Sequence, residues 1–459
     1  MNHNNQVSVI GSGSAGKDAA LLAARAGKRT LLIESDRIGG TGVHRGCHAV
    51  RALRACATRY DRTIENDRLG VYTDLITTNW PTWLEVQHRT TSRLAEELSR
   101  ALDRAGAEVK FGTGELFDAH TVVITDDLGK KEAVTGEYII LATGSRPAFR
   151  GNEKARVLNS DQLLKSSLVP KNLFVIGGGY IGCELAAIFA ARKVPVTLVE
   201  AESRLLPTWD QSAGDRMREV LELGGVQVML KEKVELPSPD QDGAIHFKLR
   251  NGPVVTPDLT LVTVGRVPNT EKLNLSSVGL PTEGFLEVNA QMQTKVPSIF
   301  AIGDLNGMML LDSAAFAQAR VAVQAILGEK AMFEPHWIPR CLHTEPPIAA
   351  AGWTQAEAAA AGHQVDVICE NLSLITDDDA TMIEPDKNLL KLIVQSSTGR
   401  ILGCLAIGSR AAELVNVGSM AIRSGVFAQR LADLSLIHPS ASEAMVRLLQ
   451  DYFDRGDRC

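Results

Sequence analysis

The sequence predicts a multi-domain α/β protein: two units built on one plan of strand, glycine turn, helix and strand, followed by an α+β region. Three observations carry this reading. The plan is spelled once from Val7 and again from Leu173, and after residue 335 the pattern changes to strand-like runs and then helical ones. At 459 residues the chain is also too long for a single hydrophobic core.

The first unit reads VSVIGSGSAGKDAALLAARAGKRTLLIES. An apolar run suited to a buried strand meets a glycine turn, an alanine-rich helix and a second apolar run ending in an acid. Gly11, Gly13 and Gly16 take the GxGxxG positions. The first allows the tight turn, the second lets the backbone approach a pyrophosphate, and the third lets helix meet strand. Ser14 and Ala15 open the helix, where free N–H groups and the helix dipole favour a phosphate. Glu34 closes the second strand, where a carboxylate can accept both hydroxyls of a ribose.

The second unit, LFVIGGGYIGCELAAIFAARKVPVTLVEAESR, repeats the pattern with Gly177, Gly179 and Gly182, with Tyr180 and Ile181 at the helix start and Glu200 at the end of the second strand. Two such units in one chain suggest two different dinucleotides. Glu200 would pair with a free 2′-hydroxyl and repel a 2′-phosphate. Arg204 is nearby, but no arginine pair follows Glu200 directly, so NADH is expected in preference to NADPH.

Composition narrows the function. Hydrophobic residues at 45% and charged residues at 22% describe an ordinary globular chain. The net charge of −6, with no run of Lys and Arg, argues against nucleic acid as a partner. Nowhere do eighteen apolar residues occur in succession, so membrane insertion is not expected, and the polar start from Met1 to Gln6 reads as that of a cytoplasmic protein. Seven cysteines (47, 56, 183, 341, 369, 404 and 459) lack metal-like pairing and read as reduced thiols, with no metal site.

These landmarks resemble the two-dinucleotide-domain flavoproteins of the pyridine nucleotide-disulfide oxidoreductase family, which includes dihydrolipoamide dehydrogenase, mercuric reductase and soluble transhydrogenase. Further motifs follow in that family's order. IILATGSRP (139–147), with Thr143 and Gly144, resembles its crossover from the FAD to the NAD domain, and LVTVGRVPN (261–269), with Gly265, resembles the return. IFAIGDLN (299–306), with Gly303 and Asp304, resembles the second FAD motif, in which the acid would bond the FAD ribityl chain. The resemblance implies two Rossmann-like domains, one for FAD (1–146 and 269–335) and one for NAD(H) (147–268). It implies also an α+β dimerisation domain (336–459) and a homodimer.

The family carries a stretch of the form GGTCxNxGCxPSK, whose two cysteines form a disulfide beside the flavin. Here the stretch is GGTGVHRGCHAVR. Aligning Gly39, Gly40, Thr41 and Gly46 puts Gly42 at the first cysteine and Cys47 at the second, with Gly40 and Thr41 against the cofactor. The resemblance then implies loss of the outer, substrate-facing thiol and retention of the flavin-side one. Cys47 is expected to begin a helix, whose dipole, with Arg51 one turn on, would lower its pKa toward a thiolate. Cys56 cannot replace the lost partner: nine residues of helix span about 13.5 Å, beyond disulfide reach.

Arg51 stands where the family keeps a lysine paired with a glutamate, here Glu184, and an Arg51–Glu184 pair near the flavin is expected. LSLIHPSASEAM resembles the family's acid–base signature, with Glu443 orienting His438 and His438 reaching the partner subunit's site. His438 would then protonate an acceptor lodged in the space emptied at Gly42. Likeness to the transhydrogenase branch (His44, Arg45, Gly46, Ala52, Leu53, Arg54, SAAFAQAR, GSRAAELVNVGSMAI) is partial, and the terminal Cys459 reads as incidental.

The expected activity is that of an FAD-dependent NAD(P)H oxidoreductase passing hydride from NADH to FAD and on to a small non-dithiol acceptor: a quinone, a metal ion, oxygen or a small mixed disulfide. Three alternatives stand beside it. They are dihydrolipoamide dehydrogenase- or transhydrogenase-like turnover, monothiol peroxidase or disulfide reductase chemistry at Cys47, and a redox-silent nucleotide-binding sensor or scaffold.

Overall fold

The computed structural model describes residues 4–65, 71–235, 245–250, 254–371 and 388–455; Cys459 and the acidic stretch 377–379 lie outside them. Three sheets organise the chain. The first runs in the order Glu108–Phe111, Thr30–Glu34, Asn5–Ile10, Lys131–Leu141, Thr121–Thr125 and Thr113–Leu116, with Ile299–Ala301 also on Lys131–Leu141. Its nucleotide-binding half is parallel: Asn5–Ile10 pairs with Thr30–Glu34 on one side and Lys131–Leu141 on the other. These strands are near-continuous apolar runs because both faces are covered, one by helices and the other by the strands Thr113–Leu116 and Thr121–Thr125 with the segment around Leu275; Val7, Val9, Leu31, Leu32 and Ile33 are wholly buried.

The expected strand–helix–strand unit is present as Asn5–Ile10, Ser14–Arg25 and Thr30–Glu34. Ala19, Ala20 and Ala23 on its helix meet Ala314, Ala315, Ala319 and Ala322 on the helix Asp312–Ile326 in one core. Small side chains on both helices let their backbones approach closely, which brings the start of the Asp312 helix over the glycine turn.

The second sheet is wholly parallel, in the order Val226–Leu230, Val196–Glu200, Leu173–Ile176, Leu259–Val262 and Val157–Asn159, and contains the repeat unit with helix Tyr180–Ala191. Its core reaches beyond its own segment. Leu53 and Ala57 from helix Cys47–Glu65, and Trp80 and Trp83 from helix Trp80–Arg104, pack with Phe189, Leu185 and Val175. Trp80 packs against Phe189 with tilted rings, centroids 5.1 Å apart, and donates its indole N–H to the Ser166 carbonyl. Arg192 lies over both indoles. The helix that begins at Cys47 is therefore pinned between the two units.

The third sheet is antiparallel, in the order Arg340–Leu342, Ile348–Gly352, Ile401–Ile407, Leu389–Gln395 and Val365–Asn371. Helices Ala411–Ser424 and Glu443–Arg455 share its core through Leu414, Val415, Met445 and Leu449. The runs LLKLIVQ and RILGCLAIG are the expected strands and the helical pattern begins at Ala411 as expected. This region is tied to the second unit by Lys391 Nζ, 3.0 Å from both oxygens of Asp210, and by Arg340 over the Trp209 ring.

The two glycine turns have the same backbone. Gly11 and Gly177 hold φ of 99° and 109°, a region costly for any residue with a Cβ. A Cβ at Gly16 would lie 1.8 Å from the Gly11 carbonyl oxygen, and one at Gly182 1.9 Å from that of Gly177. Gly13, with φ −60°, meets nothing within 4 Å. Thermal melts of the flavin-free protein should separate the two kinds: Gly16→Ala and Gly182→Ala each lose about 2 kcal/mol or more, while Gly13→Ala melts with the wild type.

Candidate active site

The first glycine turn is a cradle with an open mouth. Gly13 starts its helix without a side-chain cap, so the N–H groups of Ser14, Ala15 and Gly16 point outward into the space a Gly13 Cβ would enter. Such a terminus suits an anionic pyrophosphate. The remaining residues expected around the cofactor converge here. A Cβ on Gly40, beside Thr41, would lie 2.8 Å from Gly13 Cα, and one on Gly303 would lie 3.1 Å from Ala15 Cβ. Glu34 is fixed at the turn, accepting from Ser12 N–H and Ser12 Oγ with one oxygen and from Asp36 N–H with the other.

The second turn repeats this. Gly179 also lacks a side-chain cap and faces open space, leaving the Tyr180, Ile181 and Gly182 N–H groups available. Glu200 accepts from Gly178 N–H at 2.6 Å and Glu202 N–H at 2.8 Å, the same bracing as Glu34. Tyr180 packs edge-on against Trp209 at 5.4 Å, and burial raises its phenol pKa.

Between the two turns the crossover and return segments pair with each other as a short antiparallel ribbon, Ser145–Pro147 with Arg266–Pro268. Thr143 Oγ1 donates to Asn269 O, and Asn269 N–H donates to Gly144 O; Ala148 N–H donates to Gly265 O. Arg266 donates to Ser145 Oγ and to its carbonyl, and Ser145 Oγ donates to Asp304. Burial raises the Asp304 pKa, against the pull of Ser145 and Arg266. Asp304 is thus anchored where both crossovers meet the second motif of the first unit.

Cys47 starts the helix Cys47–Glu65, as expected; part of the residue's surface is exposed while its thiol is packed among neighbouring groups. The expected thiolate is not supported. Burial of the sulfur raises the thiol pKa far above its usual value, and the charge of Asp312 raises it further. Glu184 adds to the effect. The helix dipole is overruled by desolvation first and by a carboxylate from a distant segment second.

The expected Arg51–Glu184 pair does not form either. Arg51 lies on the exposed side of its helix and turns its charge toward Cys341 and His343. Glu184 instead accepts from His343 N–H at 2.7 Å and has Arg54 as its cation. Arg54 is only 6% exposed, between Asp61 and Glu345. Burial still dominates and pushes the Glu184 carboxyl up to about 7.

Nor is the space at Gly42 empty. Gly42 is buried in the short helix Gly40–His44, and a Cβ there would lie 2.4 Å from Ser14 Oγ and 2.8 and 2.9 Å from the two carboxylate oxygens of Asp312. The loop is held from beneath by His44, whose Nε2 contacts Ile38 O at 2.9 Å and whose pKa burial lowers.

His438 and Glu443 are joined as expected, His438 Nδ1 lying 3.1 and 3.2 Å from the two Glu443 oxygens. Burial alone would raise the Glu443 pKa, but the Ser440 N–H, His438 and Arg447 together lower it. The imidazole itself projects outward, its side chain 72% exposed. No described group of three or more His, Cys, Asp or Glu is placed to hold a metal ion.

Comparison with known proteins agrees with this arrangement. Residues 5–325 match the family model for pyridine nucleotide-disulphide oxidoreductases, and residues 338–449 match that family's dimerisation domain. The chain belongs to the pyridine nucleotide-disulphide oxidoreductase family. It is 32% identical over 448 residues to the dihydrolipoyl dehydrogenase of Chlorobaculum tepidum, covering 96% of this chain and 95% of that protein. It is 30% identical over 442 residues to that of Geobacillus stearothermophilus, covering 95% and 93%. Among solved structures it resembles LpdA from Mycobacterium tuberculosis, with a TM-score of 0.89 at 26% identity over 97% of this chain and 99% of that one. It also resembles the HOCl-induced flavoprotein disulfide reductase RclA from Escherichia coli, with a TM-score of 0.83 at 26% identity over the same shares.

Members of this family are FAD- and NAD(H)-dependent oxidoreductases, and the two uncapped glycine cradles fit those two dinucleotides. Among the described residues no helix is long and apolar enough to cross a membrane. Sequence reasoning missed Asp312, Arg54, His343, Ser145 and Arg266. Ser145 and Arg266 sat inside motifs already recognised, and Arg54 could have been found from periodicity, since Val50, Leu53, Arg54 and Ala57 form one buried helix face.

Glu184 gives a pH test. Its carboxyl is raised in the folded protein from 4.5 to about 7. The associated stability is fully present below pH 4.5 and is lost as pH rises through about 7. Glu184→Gln keeps an oxygen for His343 N–H and removes the ionisation. Its unfolding free energy should equal the wild type's near pH 4.5 and exceed it at pH 8 by on the order of 1–3 kcal/mol, read from melts at the two pH values. A gap that stays constant with pH contradicts the buried acid.

Proposed function

We propose that this chain acts as a homodimeric oxidoreductase that takes electrons from NADH through FAD and delivers them to an acceptor other than a dithiol. The acceptor class is a quinone, a metal ion, oxygen or a small mixed disulfide. One observation carries the reading: among the described residues no disulfide is formed, and the position matched to the family's first cysteine is Gly42. Exchange with a dithiol proceeds through a mixed disulfide that a second sulfur must release. Gly42, matched to the first cysteine of the family stretch, offers none. The raised thiol of Cys47 also counts against a monothiol nucleophile.

When bound, FAD supplies a ring that accepts two electrons from NADH and passes them to the second substrate. The chain's own residues place and insulate that chemistry. Residues 1–146 and 269–335 form the FAD unit, with Gly11, Gly13 and the Ser14–Gly16 N–H groups for the pyrophosphate and Glu34 for a ribose. Residues 147–268 form the NAD(H) unit, with Gly177, Gly179 and Gly182 at the phosphates and Glu200 favouring a free 2′-hydroxyl. Residues 336–459 form the dimer contact. His438, oriented by Glu443, holds a proton at the ring nitrogen that faces away from the carboxylate, for delivery in the partner subunit's site. The exposed Leu434, Leu436 and Ile437 beside it are apolar surface suited to that contact.

A panel of acceptors tests the proposal. Anaerobic NADH should bleach the flavin spectrum, and menadione should turn over with NADH at a kcat/KM at least about tenfold above that with NADPH. Lipoamide should stay at background, and Cys47→Ser should keep menadione turnover within about threefold of wild type. Rapid lipoamide turnover, or a flavin that NADH does not bleach, would overturn the reading.

A further inference from the structure

The second cradle is walled on one side by an aromatic ring that is gripped from the dimerisation domain. Tyr180 opens the helix Tyr180–Ala191, and Glu184 follows one turn later, so both side chains lie on one face of that helix. A dinucleotide whose pyrophosphate rests on the Gly177–Gly182 turn sends its two halves away in opposite directions, and Glu200 is placed for the ribose of one of them. The other half, which carries the nicotinamide, leaves along the face that bears Tyr180 and Glu184. The half-buried Tyr180 ring stands on that path.

The ring is braced. It packs edge-on against Trp209, with centroids 5.4 Å apart and planes at 61°, and Trp209 is only 2% exposed. The Arg340 guanidinium lies over the Trp209 ring at 4.7 Å, and its Nη1 donates to the Thr208 carbonyl at 3.3 Å. The next residue, Asp210, has Lys391 Nζ at 3.0 Å from both of its oxygens. Two strands of the third sheet, Arg340–Leu342 and Leu389–Gln395, thus fasten the segment that carries Trp209. Within its own unit that segment is tied to the cradle: Leu206 N–H donates to Gly178 O at 3.0 Å, and Trp209 N–H to Leu206 O at 2.9 Å. The strand that supplies Arg340 also leads into His343, whose N–H holds Glu184 at 2.7 Å on the same helix face.

We propose that Trp209 and Arg340 are positioning residues for the NADH step: they hold the Tyr180 ring as a preset wall for the nicotinamide end, so that the fit of the hydride donor is set from the dimerisation domain. The inference rests on the second cradle being the NADH site and adds what orders the half of that site which the glycine turn and Glu200 do not reach. An unbraced tyrosine has to be immobilised when the dinucleotide binds, at a cost in affinity. A braced one is ordered beforehand. The phosphates and the ribose at Glu200 are held in the same way with or without the brace.

The test uses the full-length, FAD-loaded protein and two probes that share adenosine and pyrophosphate but differ in the nicotinamide, NAD+ and ADP-ribose. Calorimetry follows both on wild type, Trp209→Leu, Arg340→Met and Trp209→Phe. Trp209→Leu and Arg340→Met should each weaken NAD+ by about three- to tenfold, with ADP-ribose within about twofold of wild type. Trp209→Phe keeps an aromatic edge for Tyr180 and should bind NAD+ within about twofold of wild type. In steady state with menadione the loss should appear in the KM for NADH, with kcat within about twofold. Arg340→Met carries the test should Trp209→Leu lose its flavin. On a Tyr180→Ala background neither change should weaken NAD+ further.

Unchanged NAD+ affinity in the flavin-loaded variants would overturn the brace. So would NAD+ and ADP-ribose weakening together, which marks damage to the whole cradle, or a full further loss on the Tyr180→Ala background. The acceptor reading fails separately: rapid lipoamide turnover, or none with menadione, removes it, while the contrast between NAD+ and ADP-ribose decides the brace without any acceptor. Wild type that binds neither probe removes the NADH site and the brace with it.

Discussion

The molecule turns on a small polar knot where Arg266, Ser145 and Asp304 meet. The chain leaves the first unit through Ser145–Pro147 and returns through Arg266–Pro268, and these two passages pair only with each other. Their shared ribbon sets how one dinucleotide cradle faces the other. Arg266, 12% exposed at its side chain, donates twice to Ser145 and lies 3.7 Å from Asp304. Removing one member of a largely buried charged cluster leaves the others unpaired, a loss on the order of 3–5 kcal/mol. A hinge between the two units is therefore resisted where it would have to bend.

From that knot the active cleft is assembled by helix starts. Ser14, Cys47, Tyr180 and Asp312 all open helices. Two of these starts, at Ser14 and Tyr180, are left uncapped and glycine-lined, which makes them receptive to phosphate. The Asp312 helix instead begins with a carboxylate, which places negative charge beside Cys47. The same local device thus yields two anion cradles and one acid, and the side chain at the first turn decides which.

How much of this was readable before the structure follows from how far each constraint reaches along the chain. The glycine turns were legible because the backbone itself excludes other residues: Gly16 and Gly182 sit within 2 Å of a carbonyl if given a Cβ. The His438–Glu443 pair was legible because both partners lie in one short motif. The Arg51 pairing failed because it was taken from motif position alone. Helix periodicity puts Val50, Leu53, Arg54 and Ala57 on the buried face and leaves Arg51 outside it, so the cation that reaches Glu184 is the one the packing buries. The raised pKa of Cys47 was not legible, since the burial that dominates it comes from tertiary packing and the carboxylate that adds to it lies 265 positions further along the chain, on a helix held by alanine packing.

The surface end of the site carries a different argument. A histidine braced at 3.1 Å by a carboxylate that also accepts a backbone N–H is an ordered group, and ordering an exposed side chain costs entropy that water contacts do not return. Ile437 beside it is 82% exposed and Leu434 47%. Apolar side chains next to an oriented imidazole gain from that arrangement when the surface is covered. The match of residues 338–449 to a dimerisation domain supplies the cover in kind. Within one chain, then, the cradles and the knot are complete in themselves, while His438 stands beside apolar surface that a partner subunit would cover.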